Sequence, residues 1–252
     1  KHLGQHFLND PNIARNIVEA LRLPDGVQEV LEIGPGMGVL TGTLLQHAEY
    51  RTSVVEIDRE SVEYLGKRFP ALEDRIHSQD FLKMNLATLY PGQPISIIGN
   101  FPYNISSQIY FQILAHRQQV RESVGMIQKE VADRLAEGPG SKTYGVPSVK
   151  AAWYAEVRRA GSIGRTVFWP APNVDSGLVA FTRRTPPDGD RAAVFAVVDA
   201  AFAQRRKTLR AALAGWAGSP DEAERRLRAA GIDPSARGEV LGVEEFARLA
   251  AT

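Results

Sequence analysis

Apolar positions recur along this chain at two different periods, and the period switches back and forth through most of its length. Asp10 and Pro11 supply an N-cap and a first-turn proline, and Ile13, Ile17, Val18 and Leu21 then fall at helical spacing until Pro24 and Gly26 stop the run. Short apolar stretches alternate with helical ones from there on. "EVLEIG" reads as a strand, "VLTGTLLQHA" as a helix, "TSVVEID" as a strand, "ESVEYLGKRF" as a helix, "RIHSQDF" as a short strand and "ISIIGN" as another. "SSQIYFQILAH" is helical, "VGMIQK" is strand-like, and "EVADRLAEG" is helical again. Strand and helix in strict turn predict right-handed crossovers and a parallel sheet covered on both faces, which is a doubly wound α/β domain.

Gly138 to Ser148 reads as a Gly/Pro/Ser-rich loop, and "WYAEVRRAGSI" and "SGLVAFTRR" beyond it as late strands that include an antiparallel edge. After Thr185 to Asp190 the strand alternation disappears. Arg191 to Trp216 carries Val194, Val197, Val198, Phe202, Leu209 and Leu213 at helical intervals. Ser219, Pro220 and Glu222 predict a capping box, Gly231 closes that helix, and "VEEFARLAA" supplies a last one. The expected domains are therefore 1–184, α/β, and 185–252, small and all-helical.

Candidate chemistry collects at the ends of the predicted strands. The first strand runs into "EIGPGMGVL", where Gly34, Gly36 and Gly38 allow a tight turn and close approach of backbone to a ligand. A dinucleotide fingerprint requires a third glycine where Val39 stands, so the match to a nicotinamide or flavin site is incomplete. The second strand ends at Glu56, about 20 residues after the glycines, where an acid can accept from a ribose diol. The third ends at Asp80 and Phe81, suited to the amine and the face of an adenine. Ligands of open α/β sheets bind at these C-terminal ends, so an adenosine-containing cofactor is expected.

The fourth strand decides which cofactor. "ISIIGNFPYN" places Asn100 at the strand mouth, and Pro102 keeps Phe101 out of the α region. An aromatic exocyclic amine is a poor nucleophile because its lone pair is delocalised into the ring. Two acceptors on its N–H bonds, the Asn100 side-chain oxygen and the Phe101 carbonyl, would favour the more tetrahedral geometry that attack requires. Tyr103 can stack on the base. The expected chemistry is positioning plus preorganised dipoles, with a sulfonium as electrophile and no strong base.

Composition narrows the setting. The chain has 252 residues, 44% hydrophobic and 23% charged, enough for one large domain or for a large and a small one. It contains no cysteine, which excludes disulfides, thiolate metal sites and a catalytic thiol. No apolar run approaches the roughly 20 residues a membrane span needs, and "KHLGQHFLND" carries no signal-peptide core, so a cytoplasmic protein without membrane contact is expected. The net charge is only +1, so a nucleic-acid surface must be a local patch. "QRRKTLR", with Arg205, Arg206, Lys207 and Arg210, is the candidate; a solvated helix face is the alternative. His2, His47, His77 and His116 show no ligand spacing, and no metal is expected.

Asn-Phe-Pro-Tyr after a glycine-rich first loop resembles the S-adenosylmethionine-dependent methyltransferases that act on amino groups of nucleobases. It is closer still to the ribosomal RNA adenine dimethyltransferases, the kasugamycin-resistance family of small-subunit enzymes. The likeness runs through "GQHFLND", "EIGPGMGVLT", "VVEIDRE", "QDF", "GNFPYNISS", "QKEVADRL", "YGVPSV", "FWPAPNVDSGLV", "RRKTLRAAL" and "DPSARGEVL", in that order over nearly the whole chain. The resemblance implies a Rossmann-like methyltransferase domain followed by helices that help to dock on a partly assembled small ribosomal subunit, a pre-30S particle with its 16S rRNA. It implies that His6 and Leu8 close over S-adenosylmethionine, with Gly34 and Gly36 beneath its methionine part. Glu56 would hold the ribose, Asp80 the adenine amine, and Asn100 would line both methionine and target base. Tyr103 and Phe168 would sandwich an adenine flipped out of its stack, and the basic cluster would meet RNA phosphates. Arg225, Arg226 and Arg228 are weaker candidates for that role.

Five positions depart from the commonest pattern of the family: His6 for asparagine, Phe101 for leucine, Asp175 where a basic residue is common, and Val146 with Pro147 where larger or basic residues occur. The leading expectation is a monomeric enzyme that dimethylates the N6 amines of two adjacent adenines near the 3′ end of 16S rRNA, late in small-subunit assembly. A large-subunit adenine methyltransferase of the macrolide-resistance type, a largely non-catalytic assembly factor and a nicotinamide oxidoreductase are the alternatives, in falling order.

Overall fold

The computed structural model describes residues 6–252, so His2 and the Gly4 and Gln5 of "GQHFLND" lie outside the described residues. It forms two compact units, Lys1–Ala132 with Arg158–Arg183, and Asp133–Val157 with Arg184–Thr252.

In chain order the first unit carries β1 (Phe7–Leu8), α1 (Pro11–Glu19), β2 (Glu29–Ile33), α2 (Val39–Leu44), β3 (Arg51–Glu56), α3 (Arg59–Arg68), β4 (Ile76–Ser78), α4 (Leu86–Leu89), β5 (Ile95–Asn100), α5 (Ser106–Ala115) and β6 (Val120–Gln128). α6 (Lys129–Ala136) and α7 (Val146–Tyr154) follow, then β7 (Ala155–Ile163), β8 (Phe168–Trp169) and β9 (Ser176–Arg183). Seven strands form one sheet in the order β4-β3-β2-β5-β6-β9-β7. The pairs β2–β3, β2–β5, β3–β4 and β5–β6 are parallel, and β9 joins β6 antiparallel. The central strands are buried almost end to end because helices cover both faces, so they read as apolar runs rather than alternations.

β6 starts earlier than its apolar core implies. "RES" looks polar, but Glu122 is buried inside the strand and accepts from Arg22 N at 2.7 Å, Leu23 N at 3.1 Å and Ser96 Oγ at 3.0 Å. A carboxylate with that many donors can be tolerated where an unpaired one could not. Two features were not foreseen: α7, and a separate two-stranded antiparallel ribbon of β1 with β8. α7 begins with Gly145 N donating to Ser148 Oγ at 3.1 Å and carries a proline in its first turn, a start signal hidden inside an apparent loop.

The second unit adds α8 (Arg191–Ala203), α9 (Leu209–Ala212), α10 (Ala214–Ala217), α11 (Pro220–Ala229) and α12 (Val243–Ala250). Its core gathers Val194, Val197, Val198, Leu209, Leu213, Leu227 and Phe246 together with Tyr144, Val149 and Trp153. The division expected at residue 184 therefore needs correction: 133–157 belongs by its packing with the C-terminal helices. The Tyr144 hydroxyl donating to Leu241 O at 2.6 Å anchors it there. The long helical run expected from Arg191 to Trp216 also breaks, after Ala203. Leu209 N and Arg210 N donate instead to the carbonyls of Ala236 and Pro234, at 2.7 and 3.0 Å, so long-range partners replace the helical ones. α11 starts as expected, with Glu222 N donating to Ser219 Oγ at 3.1 Å. No helix among the described residues is long and apolar enough to cross a membrane.

Candidate active site

β2 and β5 are neighbours and parallel, so the turn after Ile33 and the segment after Asn100 emerge side by side at the same sheet edge. One cleft there is lined by His6, Leu8, Gly34, Gly36, Asn100, Phe101, Pro102 and Tyr103, all residues expected at the site, together with Phe7, Glu32 and Met37, which were not.

Gly36 shows what the loop requires. Its φ is +55°, a conformation L side chains rarely adopt, and a Cβ there would lie 2.9 Å from Phe7 Cε1. Its N–H donates to Glu56 Oε2 at 3.2 Å, while Glu56 Oε1 accepts from Ile57 N at 2.9 Å and Asp58 N at 3.0 Å. Glu56 thus fastens the glycine turn to the end of β3, and Ile57 beside it is 54% exposed. Glu32, at the floor of the cleft, is fully buried and accepts from Thr41 Oγ1 at 2.6 Å. Burial pushes its pKa up to about 8; the Thr41 hydrogen bond pulls it down and the Glu56 charge pushes it further up. The signal for Glu32 was a charged residue inside an otherwise apolar strand.

Asn100 is oriented by its own hydrogen bond. Its Nδ2 donates to the His6 carbonyl at 2.7 Å, and a carbonyl can be served only by the NH2 side of the amide, so Oδ1 remains as the acceptor offered to the cleft. His6 is held in turn through Nδ1, which donates to Pro170 O at 2.7 Å. Tyr103 shares a short hydrogen bond with Ser176 Oγ, and its ring centre lies 5.7 Å from that of His6. Burial raises the Tyr103 pKa, against a lowering by the Ser176 hydrogen bond, so the phenol stays neutral.

The Phe101 side chain points away from this chemistry. Its ring is 1% exposed, lies edge-on to Tyr110 at 5.6 Å, and covers Gly125, where a Cβ would fall 2.4 Å from Cε2. The larger ring in place of the usual leucine is accommodated by a glycine on the next strand, and Phe101 N donates to Met126 O at 3.2 Å.

Four expected residues, Glu56, Asp80, Phe81 and Phe168, are not among those that line this cleft. Phe168 is 4% exposed and packs in the core with Leu8, so its ring is not offered as one face of a base sandwich; Trp169 is the exposed aromatic of "FWPAP". Phe81 is likewise buried, with its carbonyl held by Gln112 Nε2 at 3.3 Å. Asp80 caps the short turn after β4, accepting from Leu82 N at 3.0 Å, and does not line the cleft. Asp175, the departure from a basic residue, accepts from Arg165 N at 3.0 Å and so holds the loop before β8.

The basic cluster divides in two. Arg205 pairs with Glu239 at 3.1 Å and donates to Ser141 O at 3.2 Å; Arg210 pairs with Glu224 at 2.8 Å and Asp221 at 2.7 Å. These two guanidinium groups have partners within the helical unit itself. Arg206 and Lys207 stand exposed. Arg225, Arg226 and Arg228 pair with Glu222 and Glu224 along α11.

An amide with a spare acceptor oxygen at a cleft beside a glycine turn, at adjacent ends of parallel strands, suits methyl transfer to a planar amine, and the fold is that of a methyltransferase. The family model described as ribosomal RNA adenine dimethylase matches residues 1–251, and the chain belongs to that family. It is 53% identical over 261 residues, 99% of this chain and 89% of the relative, to ribosomal RNA small subunit methyltransferase A of Streptomyces coelicolor. Among solved structures, the 23S rRNA methyltransferase ErmE is 26% identical with a TM-score of 0.76, covering 97% of this chain and 98% of that one. A dimethyladenosine transferase from Plasmodium falciparum superposes with a TM-score of 0.78 at 24% identity over 97% of this chain and 96% of its own. The chain is therefore an enzyme, a ribosomal RNA adenine dimethylase, and the nicotinamide reading falls away.

Proposed function

We propose that this chain dimethylates the exocyclic N6 amines of two adjacent adenines near the 3′ end of 16S rRNA, on a small subunit late in assembly, with S-adenosylmethionine as donor. The observation that carries the chemistry is the Asn100 amide at the cleft, whose Nδ2 is taken by the His6 carbonyl so that Oδ1 is left as its acceptor. The likeness to small-subunit enzymes at 53% identity, against 26% for a 23S enzyme, supports the choice of RNA.

The residues present suit such a cofactor. Gly34 lines the cleft with nothing within 4 Å of the place a Cβ would take, so a ligand can approach backbone there, and the carboxyl group of Glu32 suits the amino end of its methionine part. Glu56, Ile57 and Asp80, at the ends of β3 and β4, would serve its ribose and adenine. When bound, the cofactor supplies an electrophilic sulfonium methyl; N6 gains that carbon and loses a proton to solvent as the sulfur becomes a thioether. The chain's part is to hold the amine. Asn100 Oδ1 and the Phe101 carbonyl would accept its N–H bonds, drawing the nitrogen toward a tetrahedral shape, and Tyr103 would stack on the ring.

For the helical unit we assign docking on the subunit, through Arg206 and Lys207. Label mapping tests the whole reading. Radiolabelled S-adenosylmethionine is given to the protein with small subunits from cells that lack the modification, with large subunits, and with naked RNA. Label on two adjacent adenines of the small subunit is expected. Label confined to large-subunit RNA would overturn the substrate, and no label anywhere would favour the assembly-factor alternative.

A further inference from the structure

Trp169 lies just outside the cleft and has no part in the site described above. It is 70% exposed. A single exposed apolar side chain is ordinary, but the position of this one is not. Side chains directly opposite one another in an antiparallel pair project from the same face. Leu8 stands opposite Phe168, and both are buried in the core. Phe7 stands opposite Trp169, so these two share the other face of the β1–β8 ribbon. The Phe7 ring lines the cleft and lies against Gly36, so its cross-strand partner Trp169 stands next to a wall of the cleft.

The mounting is firm. Asn9 N donates to Val167 O at 2.9 Å on one side of Trp169, and His6 Nδ1 holds the Pro170 carbonyl at 2.7 Å on the other. A large exposed π face is thus carried on backbone anchored to both sides, beside a cleft that takes a nucleobase. Turning an adenine out of its stack leaves the neighbouring base with one face uncovered, and aromatic side chains replace such lost partners irrespective of base identity.

We propose that Trp169 stacks on the nucleobase next to the target adenine and covers the face that the flipped base has vacated. The proposal rests on the reading of the chain as an enzyme of ribosomal adenines. Because stacking does not read sequence, the same platform serves whichever of two adjacent adenines is waiting its turn. Trp169 is a substrate-positioning residue in this scheme, and the transfer itself remains with the Asn100 segment.

The test compares Trp169→Ala, Trp169→Leu and Trp169→Phe on small subunits that lack the modification. Stacking of the usual strength predicts a KM for subunits raised about tenfold in the alanine and leucine variants, with kcat little changed and most of the effect recovered by phenylalanine. Unchanged thermal melting confirms that the variants are folded. As a second readout, an RNA oligonucleotide with two adjacent adenines should quench tryptophan emission of the parent; Trp169→Phe, which keeps Trp153 and Trp216, should lose that quench. An unchanged KM in Trp169→Leu overturns the proposal. So does quenching of the parent by S-adenosylhomocysteine alone, which would place the indole on the cofactor. Labelling of subunits by the parent reports on the functional reading separately, so an active parent with an unaffected Trp169→Leu variant rejects this proposal by itself.

Discussion

Gly125 on β6 carries no chemistry, yet replacing it should disable the enzyme through Phe101. A Cβ at Gly125 would meet three atoms of the Phe101 ring, at 2.4, 2.8 and 3.0 Å, and the ring cannot retreat because Gly99 and Tyr110 already flank it. Contacts this short force backbone shifts that typically cost about 1–3 kcal/mol in a packed core. Each kcal/mol lowers the melting temperature by about 2–4 °C in a chain of this size. The strain falls on the residue next to Asn100, so Gly125→Ala should also lower kcat. Phe101→Leu alone leaves a small void worth about 1 kcal/mol. In the double variant the void accepts the new methyl group. Its destabilisation should therefore be smaller than the sum of the two single effects by at least about 1 kcal/mol. Urea unfolding of the four proteins and their turnover on small subunits provide the measurement. If the single losses add, or if Gly125→Ala melts with the parent, the assignment of Phe101 as the wedge under the Asn100 strand is wrong.

Asn100→Ala should reduce methyl transfer about 10²–10³-fold, the loss usual for one preorganised polar contact, with cofactor binding only moderately weaker by calorimetry; near-normal turnover sinks its role. Arg206→Ala combined with Lys207→Ala should flatten the logarithmic salt dependence of subunit binding by about two, whereas Arg205→Ala and Arg210→Ala should mainly lower the melting temperature. An unchanged salt slope makes Arg206 and Lys207 a solvated surface. Glu32 has a folded pKa of about 8 against the ordinary 4.5, so the folded chain holds its proton more tightly than the unfolded one. That contribution to stability is complete below about pH 4.5 and is lost as the pH rises through about 8. Glu32→Gln should accordingly show a smaller fall in urea midpoint between about pH 5 and about pH 8.5 than the parent, and an equal fall in both refutes the shift.

The parallel core of the sheet was legible because buried strands and amphipathic helices write different periods, and Asn100 and Gly36 because few residue types can do what their positions ask. What escaped was set by distant partners. Glu122 fell outside the apolar run "VGMIQK", and its place in the strand depends on two backbone amides from the turn at Arg22 and Leu23. Arg205 and Arg210 looked like a free basic patch because their acids, Glu239, Glu224 and Asp221, lie 34, 14 and 11 positions away. Phe168 and Trp169 are adjacent aromatics, and only the pairing of β8 with β1 decides which is turned into the core. Nothing local announced strands two residues long.

That short ribbon also sets a schedule. One wall of the cleft comes from residues 6–9, and the strand that holds them, residues 168–169, is made about 160 positions later. All five strands of the parallel series have been made by Gln128, so a nascent chain can assemble that sheet while its N-terminal segment still hangs unpaired. Only when Phe168 and Trp169 emerge does the segment find its partner and complete the pocket. The cleft is thus completed only after the floor of the site has formed.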